Sequence, residues 1–285
     1  MNALIFSAFF STASLCLGCE VPNDVQLLSE AQVSATSTPD QNPEPSPSPL
    51  ITAPDTALNQ NYAYVLAPGG LYLRAHNNLH SERLTLMPWG SKVLIQEKPL
   101  DNTMTVSGIP GTMYTVRFND LEGYAFSGYL GPYAPPGHKM NAAQYAAYLH
   151  EIQEVDTEPS CGADSKILNL PQYSRIVSED LTAPSVTETL LMPGMNLNQA
   201  YLVAQRLFGI PEDLKCPSVA GPENAVYPDK KPKKGIWKSE LAVRRANGQI
   251  QEMTYLYRSK NFMRRVHLAP RENGVLIKAH EANIL

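Results

Sequence analysis

A run of short alternating segments between residues 64 and 130 leaves this chain few folds to choose from. It opens on Tyr64-Val65-Leu66, turns at Pro68-Gly69-Gly70 and continues as Leu71-Tyr72-Leu73-Arg74. A polar loop leads to Leu84-Thr85-Leu86, the turn Pro88-Trp89-Gly90, and an alternating stretch over 92–96. Tyr114-Thr115-Val116-Arg117-Phe118 then passes through Asn119-Asp120 into Gly123-Tyr124-Ala125-Phe126, and Tyr129-Leu130 closes the run. Period-two alternation sends every second side chain to one face. With turn residues recurring every eight to twelve positions, it predicts a small antiparallel all-β barrel over residues 59–132.

The order of these segments is similar to the bacterial SH3-like domain family. Leu71, Leu73 and Arg74 match the family's Leu-Asn-Val-Arg-x-Gly-Pro segment, while His76 and Asn77 stand where that segment has Gly-Pro. Met113 stands where a Trp usually precedes the Tyr-x-Val strand. The resemblance covers roughly a quarter of the chain. It implies a module that binds cell-wall peptide or contacts a protein partner, with Tyr72, Trp89, Tyr124 and Tyr129 as candidate groove residues.

Before the barrel, residues 3–18 form an apolar and small-residue stretch ending in Cys19. It has the length of a signal-peptide core and is too short to span a bilayer comfortably. Leu15-Cys16-Leu17-Gly18-Cys19 resembles a bacterial lipobox, so residues 1–19 read as a lipoprotein signal with Cys19 as the lipidated residue. Cys16 departs from the Leu preferred at its position, and no Lys or Arg precedes the apolar stretch. Residues 20–58 hold Pro39, Pro43, Pro45, Pro47, Pro49 and Pro54 among Ser and Thr, with few large apolar residues. Such a composition does not bury enough surface to offset its ordering entropy and reads as an extended linker. At ~3.1 Å per residue its Pro-rich part would span about 50 Å.

A second boundary, rich in Pro and Gly, follows the barrel at 131–137. Asn141 then caps a helix through about residue 155, where Ala142, Tyr145, Ala146 and Leu149 recur at helical spacing. Signals are weak from 161 to 193, with short strands expected at 167–168 and 187–191. Asn196 or Asn198 caps a stronger helix, striped by Leu197, Ala200, Tyr201, Ala204, Leu207 and Phe208 and stopped at Gly209-Ile210-Pro211. A Pro- and Lys-rich loop over 217–235 leads to alternating stretches at 236–246 and 249–259 around Asn247-Gly248, a strong hairpin signal. Further strands are expected at 262–269 and 275–281. Two helices over a four-stranded C-terminal antiparallel meander make residues 138–285 an α+β domain of unrecognised family.

Charge is distributed unevenly. Residues 1–214 carry 9 Lys and Arg against 21 Asp and Glu, and residues 215–285 carry 14 against 6. The basic excess includes Lys230, Lys231, Lys233 and Lys234 in one loop, and Arg244, Arg245, Arg264 and Arg265 on expected strands. A solvated face accounts for such a pattern; so does attraction to an anionic envelope polymer or an acidic partner. Nucleic acid is not expected as a partner outside the cytoplasm.

Two of the four cysteines lie in the signal segment, which leaves Cys161 and Cys216 as an expected disulfide in an exported chain. Neither is followed by the Ser-Gly found in cell-wall amidases that carry an SH3-like module. The six histidines show no metal-ligating spacing, and no nucleophile elbow, phosphate loop or dinucleotide fingerprint is present. No catalytic residue, metal or cofactor is therefore assigned. The sequence reads as a non-enzymatic, lipid-anchored binding protein of the bacterial envelope, on its periplasmic or surface side. An envelope enzyme with its site in the C-terminal region, or an assembly subunit, remain as alternatives.

Overall fold

In the computed structural model the described residues are 62–99, 103–156, 170–179 and 184–284. Cys19, Cys161, the lipobox, the linker and the strand expected at 167–168 lie outside them. The protein is mostly β, built on antiparallel sheets.

The first sheet takes its strands from the alternating run: β1 (Tyr62–Val65), β2 (Leu71–Arg74), β3 (Arg83–Met87), β4 (Lys92–Glu97), β7 (Met113–Phe118), β8 (Leu121–Phe126) and the short β9 (Leu130–Gly131). Their order is β3-β2-β8-β7-β4-β1-β9. Alternation decides which side chains enter the core. Leu71 and Leu73 are buried on β2 and Tyr72 between them is not, and Ala63 and Val65 are buried on β1. One hairpin escaped the sequence reading: β5 (Met104–Val106) pairs with β6 (Ile109–Gly111) through Ser107-Gly108. Both turn residues have positive φ, 52° and 87°, the geometry of a two-residue hairpin turn. A single 3-10 turn, Ser127–Tyr129, joins β8 to β9.

The second sheet has seven strands where the sequence predicted four. The meander is present as β13 (Ile236–Ala246), β14 (Gln249–Ser259), β15 (Phe262–Arg271) and β16 (Gly274–Asn283), with Asn247 and Gly248 turning at φ 53° and 70°. It is extended on one side by β11 (Ser185–Pro193) and β10 (Gln172–Ser178), and on the other by β12 (Asn224–Pro228). The strand expected at 187–191 is thus longer, and β10 lies where no strand was predicted. The stretch read as a loop over 217–235 contains β12, whose Ala225-Val226-Tyr227 pairs with Val243-Ala242-Leu241. Its Pro228 sits at the end of an edge strand, where a missing N–H costs no ladder bond.

Both helices start where the sequence places them, α1 at Ala142–Asp156 and α2 at Leu197–Phe208. Each opens with a reciprocal cap. Asn141 Oδ1 accepts from the Gln144 N–H and Gln144 Oε1 from the Asn141 N–H; Asn196 and Gln199 repeat the arrangement on α2. Gly209, at φ 61°, ends α2. The α2 stripe packs on β15 and β16, burying Ala200, Tyr201, Val203, Ala204 and Phe208, while α1 lies against β10 and β11. The other side of α2 reaches the first sheet. Gln199 Nε2 donates to the Leu130 carbonyl at 2.5 Å, and the helix touches the Ser127–Tyr129 turn.

Candidate functional site

Tyr72 and Tyr129, two of the four aromatic residues singled out in the sequence, line one cleft of about 310 Å³. Tyr72 stands outward from β2 and is 37% exposed. The turn before it forms the near wall. At Gly70, φ is 84° and an added Cβ would lie 2.9 Å from the Met87 carbonyl oxygen, so this turn requires glycine. Tyr129 comes from the 3-10 turn, and its ring meets Phe126 edge to face, with centroids 5.9 Å apart at 62°. Burial raises the Tyr129 phenol pKa, and a side-chain hydrogen bond with Ser107 works against that shift. The phenol is therefore neutral at physiological pH.

Arg74 contributes the charged part of the cleft lining. Its Nη1 donates to the Ser81 carbonyl at 2.7 Å, and its cross-strand partner is Arg83. Burial, and then the neighbouring Arg83 charge, lower the Arg74 pKa. Arg83 lies over the Tyr72 ring with its guanidinium carbon 4.4 Å from the centroid. Arg74 is thus the charged residue of a lining whose apolar side chains include Leu71, Leu79, Val106 and Phe126, and Arg83 stands next to it over the Tyr72 ring. An apolar floor beside paired Arg groups suits a ligand that joins an apolar side chain to a carboxylate.

The other two aromatic candidates are elsewhere. Trp89 is half-buried, donates Nε1–H to the Pro136 carbonyl at 3.4 Å, and lines a separate pocket of about 340 Å³ with Leu202 and Arg206 of α2. Tyr124 is half-buried on β8, opposite Arg74 on one side and Thr115 on the other, outside the cleft lining. The sequence missed Phe126 and Leu79 as cleft residues. The former is buried next to Ala125 and so breaks the alternation at the end of β8; the latter sits in a loop without periodic signal.

Lys230, Lys231, Lys233 and Lys234 are all exposed. Lys231 and Lys233 reach a second cleft of about 430 Å³ at the end of α2, with Arg264, Tyr255, Tyr257 and Phe262. Arg264 is already engaged there, pairing with Glu281 at 2.6 Å and donating to the Phe208 carbonyl at 2.7 Å. Asp229 and Asp213 also line this cleft, so it is mixed in charge. A broad, open groove of about 1070 Å³ runs between the Asn196 cap, the Ser218–Ala220 stretch and the β15–β16 turn. None of the four aromatic candidates lines it.

Cys216 is buried, and its thiol donates to Asn198 Oδ1 at 3.1 Å. Burial pushes its pKa up to about 12, which leaves it protonated and a poor nucleophile. Among the described residues, no three His, Cys, Asp or Glu side chains converge to hold a metal ion. Comparison with protein-family models, with curated proteins and with solved structures finds no match to this chain.

Proposed function

We propose that this chain is a non-enzymatic binding protein of the bacterial cell envelope. It is held to a membrane by lipid on Cys19, and its first sheet is an SH3-like barrel that engages cell-wall peptide or a protein partner in the Tyr72–Tyr129 cleft. The second sheet with α1 and α2 makes the α+β domain behind it.

The observation that carries this reading is the meeting of Tyr72 and Tyr129 with Arg74 in one cleft. Arg74, with Leu71 and Leu73, matches the family's motif segment, and the same resemblance implies Tyr72 and Tyr129 as groove residues. Cell-wall stem peptides combine small apolar side chains with free carboxylates, the pairing that the cleft lining suits. The experiment is retention of the full-length chain on purified wall sacculi, repeated after amidation of the stem-peptide carboxylates. Retention lost on amidation supports the reading. Retention by envelope proteins alone moves the ligand to a protein partner, and no retention on either material defeats it. Cys19→Ala tests the anchor: it should abolish acyl labelling and shift the chain from the membrane to the soluble fraction.

A further inference from the structure

Among the described residues, the second sheet is covered on one face only. Leu190, Leu241, Met253, Tyr255, Val266 and Ile277 point to the face on which α2 packs and are buried. Strand pairing fixes what lies on the other. One row across the sheet runs Ala242–Thr254–His267–Lys278–Thr189, and the next runs Glu240–Leu256–Arg265–His280–Thr187. No residue of either row is buried.

Register also sorts the arginines. Arg244 pairs with Glu252 and Arg265 with Leu256, two positions of β14 that share a face, so Arg244 and Arg265 lie together on the uncovered side. Arg245 and Arg264 go to the covered side, where neutral oxygens and Glu281 occupy them. On the uncovered side Lys238, Arg244, Arg258, Arg265 and Lys278 face two acids, Glu240 and Glu252. The acids stand toward one margin, pairing with Lys238 and Arg244 at 2.8 Å each. That leaves the middle cationic.

Arg265, His267, Lys278 and His280 form a block there, with Arg265 opposite His280 and His267 opposite Lys278. Neighbouring strands lie ~5 Å apart and alternate residues of one strand ~6.6 Å apart. Each imidazole is steadied through Nδ1 by a threonine on the adjacent strand, Thr254 for His267 and Thr187 for His280, both at 3.0 Å. Glu252 approaches His267 Nε2 at 3.9 Å. Arg265 and Lys278 are exposed.

From this block we infer a second binding site, independent of the Tyr72–Tyr129 cleft, that takes a flexible phosphate-bearing polymer across the uncovered face of the second sheet. Arg265 and Lys278 stand diagonally on adjacent strands, roughly 8 Å apart on the sheet lattice, with an imidazole beside each, a spacing that suits successive single anions of a chain better than one compact ligand. A second copy of the protein is disfavoured, because two such faces would meet cation to cation. A flat bilayer is also a poor fit. Of this sheet's large exposed apolar residues, Ile176 and Val177 on β10 and Val226 and Tyr227 on β12 stand on opposite edge strands, while the Trp237 ring on β13 sits beneath Arg258, its centroid 5.9 Å from the guanidinium carbon. A twist of ~20–25° per strand turns those edges well out of one plane.

The test titrates long-chain inorganic polyphosphate onto the full-length chain at low and at physiological salt. Binding should weaken steeply with salt, because exposed charges are screened beyond ~8 Å at physiological ionic strength. Arg265→Ser with Lys278→Ser should lower affinity at least tenfold, and Arg265→Gln alone gives a second reading at an exposed side chain. The charge-keeping exchange Arg265→Lys with Lys278→Arg should stay within about threefold. Lys231→Ser with Lys233→Ser, and Tyr72→Ala, should leave binding as it was. The inference is overturned if the wild-type chain does not bind polyphosphate, or if binding survives loss of both Arg265 and Lys278. It is overturned equally if poly-L-glutamate binds as well, or if only phosphatidylglycerol vesicles bind.

Discussion

The Arg245 guanidinium is held against the Ser218 carbonyl, giving it Nη2 at 2.8 Å and Nε at 3.2 Å. Nη1 reaches the Pro222 carbonyl at 3.0 Å and Nη2 also the Tyr227 hydroxyl at 3.1 Å. Arg245 is 3% exposed, so this charge lies inside the fold and is satisfied there by neutral oxygens. It fastens the segment between Cys216 and β12 to the end of β13.

Arg245→Met should therefore destabilise the protein by about 2–4 kcal/mol, since it removes the charge-assisted hydrogen bonds to the Ser218 and Pro222 carbonyls and the Tyr227 hydroxyl that tie this loop to β13. Arg244→Met, one residue away, removes only the solvent-exposed pair with Glu252 and should cost far less than Arg245→Met. Urea unfolding of both variants decides the matter; equal losses would show that Arg245 carries no special load.

Alkaline pH should unfold the protein through its buried phenols. Burial raises the pKa of Tyr133 to about 12 and moves Tyr145 and Tyr201 upward as well. A phenol with a raised folded-state pKa keeps its proton in the fold longer than in the unfolded chain. Its contribution is complete below about pH 10 and is lost as pH rises from there toward about 12. Phenolate absorbance and far-UV circular dichroism should change together over that window. Full phenolate formation with the fold intact would contradict this.

Cys216 should resist alkylation in the reduced native chain and react once the chain is unfolded, because burial holds the thiol protonated. The proposed pairing with Cys161 adds a second outcome for protein purified under oxidising conditions. Its mass should be two hydrogens lower, and no thiol of the pair should be modified after unfolding without reductant. Two reactive thiols in that sample would exclude the pairing.

What the sequence made legible followed from strict periodicity and local caps. The boundaries of β2, β13 and β14 coincide with the alternating stretches, and Asn141 and Asn196 begin their helices because a side chain and a Gln three residues on satisfy each other locally. The hairpin at Ser107-Gly108 was signalled by Ser-Gly between Val106 and Ile109, but its strands are only three residues long. β10 and β12 are sheet-edge strands held by a single neighbour, and their composition is set by exposure more than by a buried face. Register was out of reach as well. Nothing local tells Arg244 and Arg265 that they share a face, or brings Tyr129 across from its 3-10 turn to Tyr72 while Trp89 goes to α2.

The cleft is tested most directly by the affinity of the full-length chain for purified wall sacculi, measured for wild type, Tyr72→Ala and Trp89→Ala by co-sedimentation. Tyr72 is a cleft wall and Trp89 belongs to a different pocket. Tyr72→Ala should weaken binding at least tenfold with the unfolding midpoint little changed, and Trp89→Ala should leave affinity within about threefold. Loss on Trp89→Ala with none on Tyr72→Ala would contradict the account and place the contact at the Trp89 pocket beside α2.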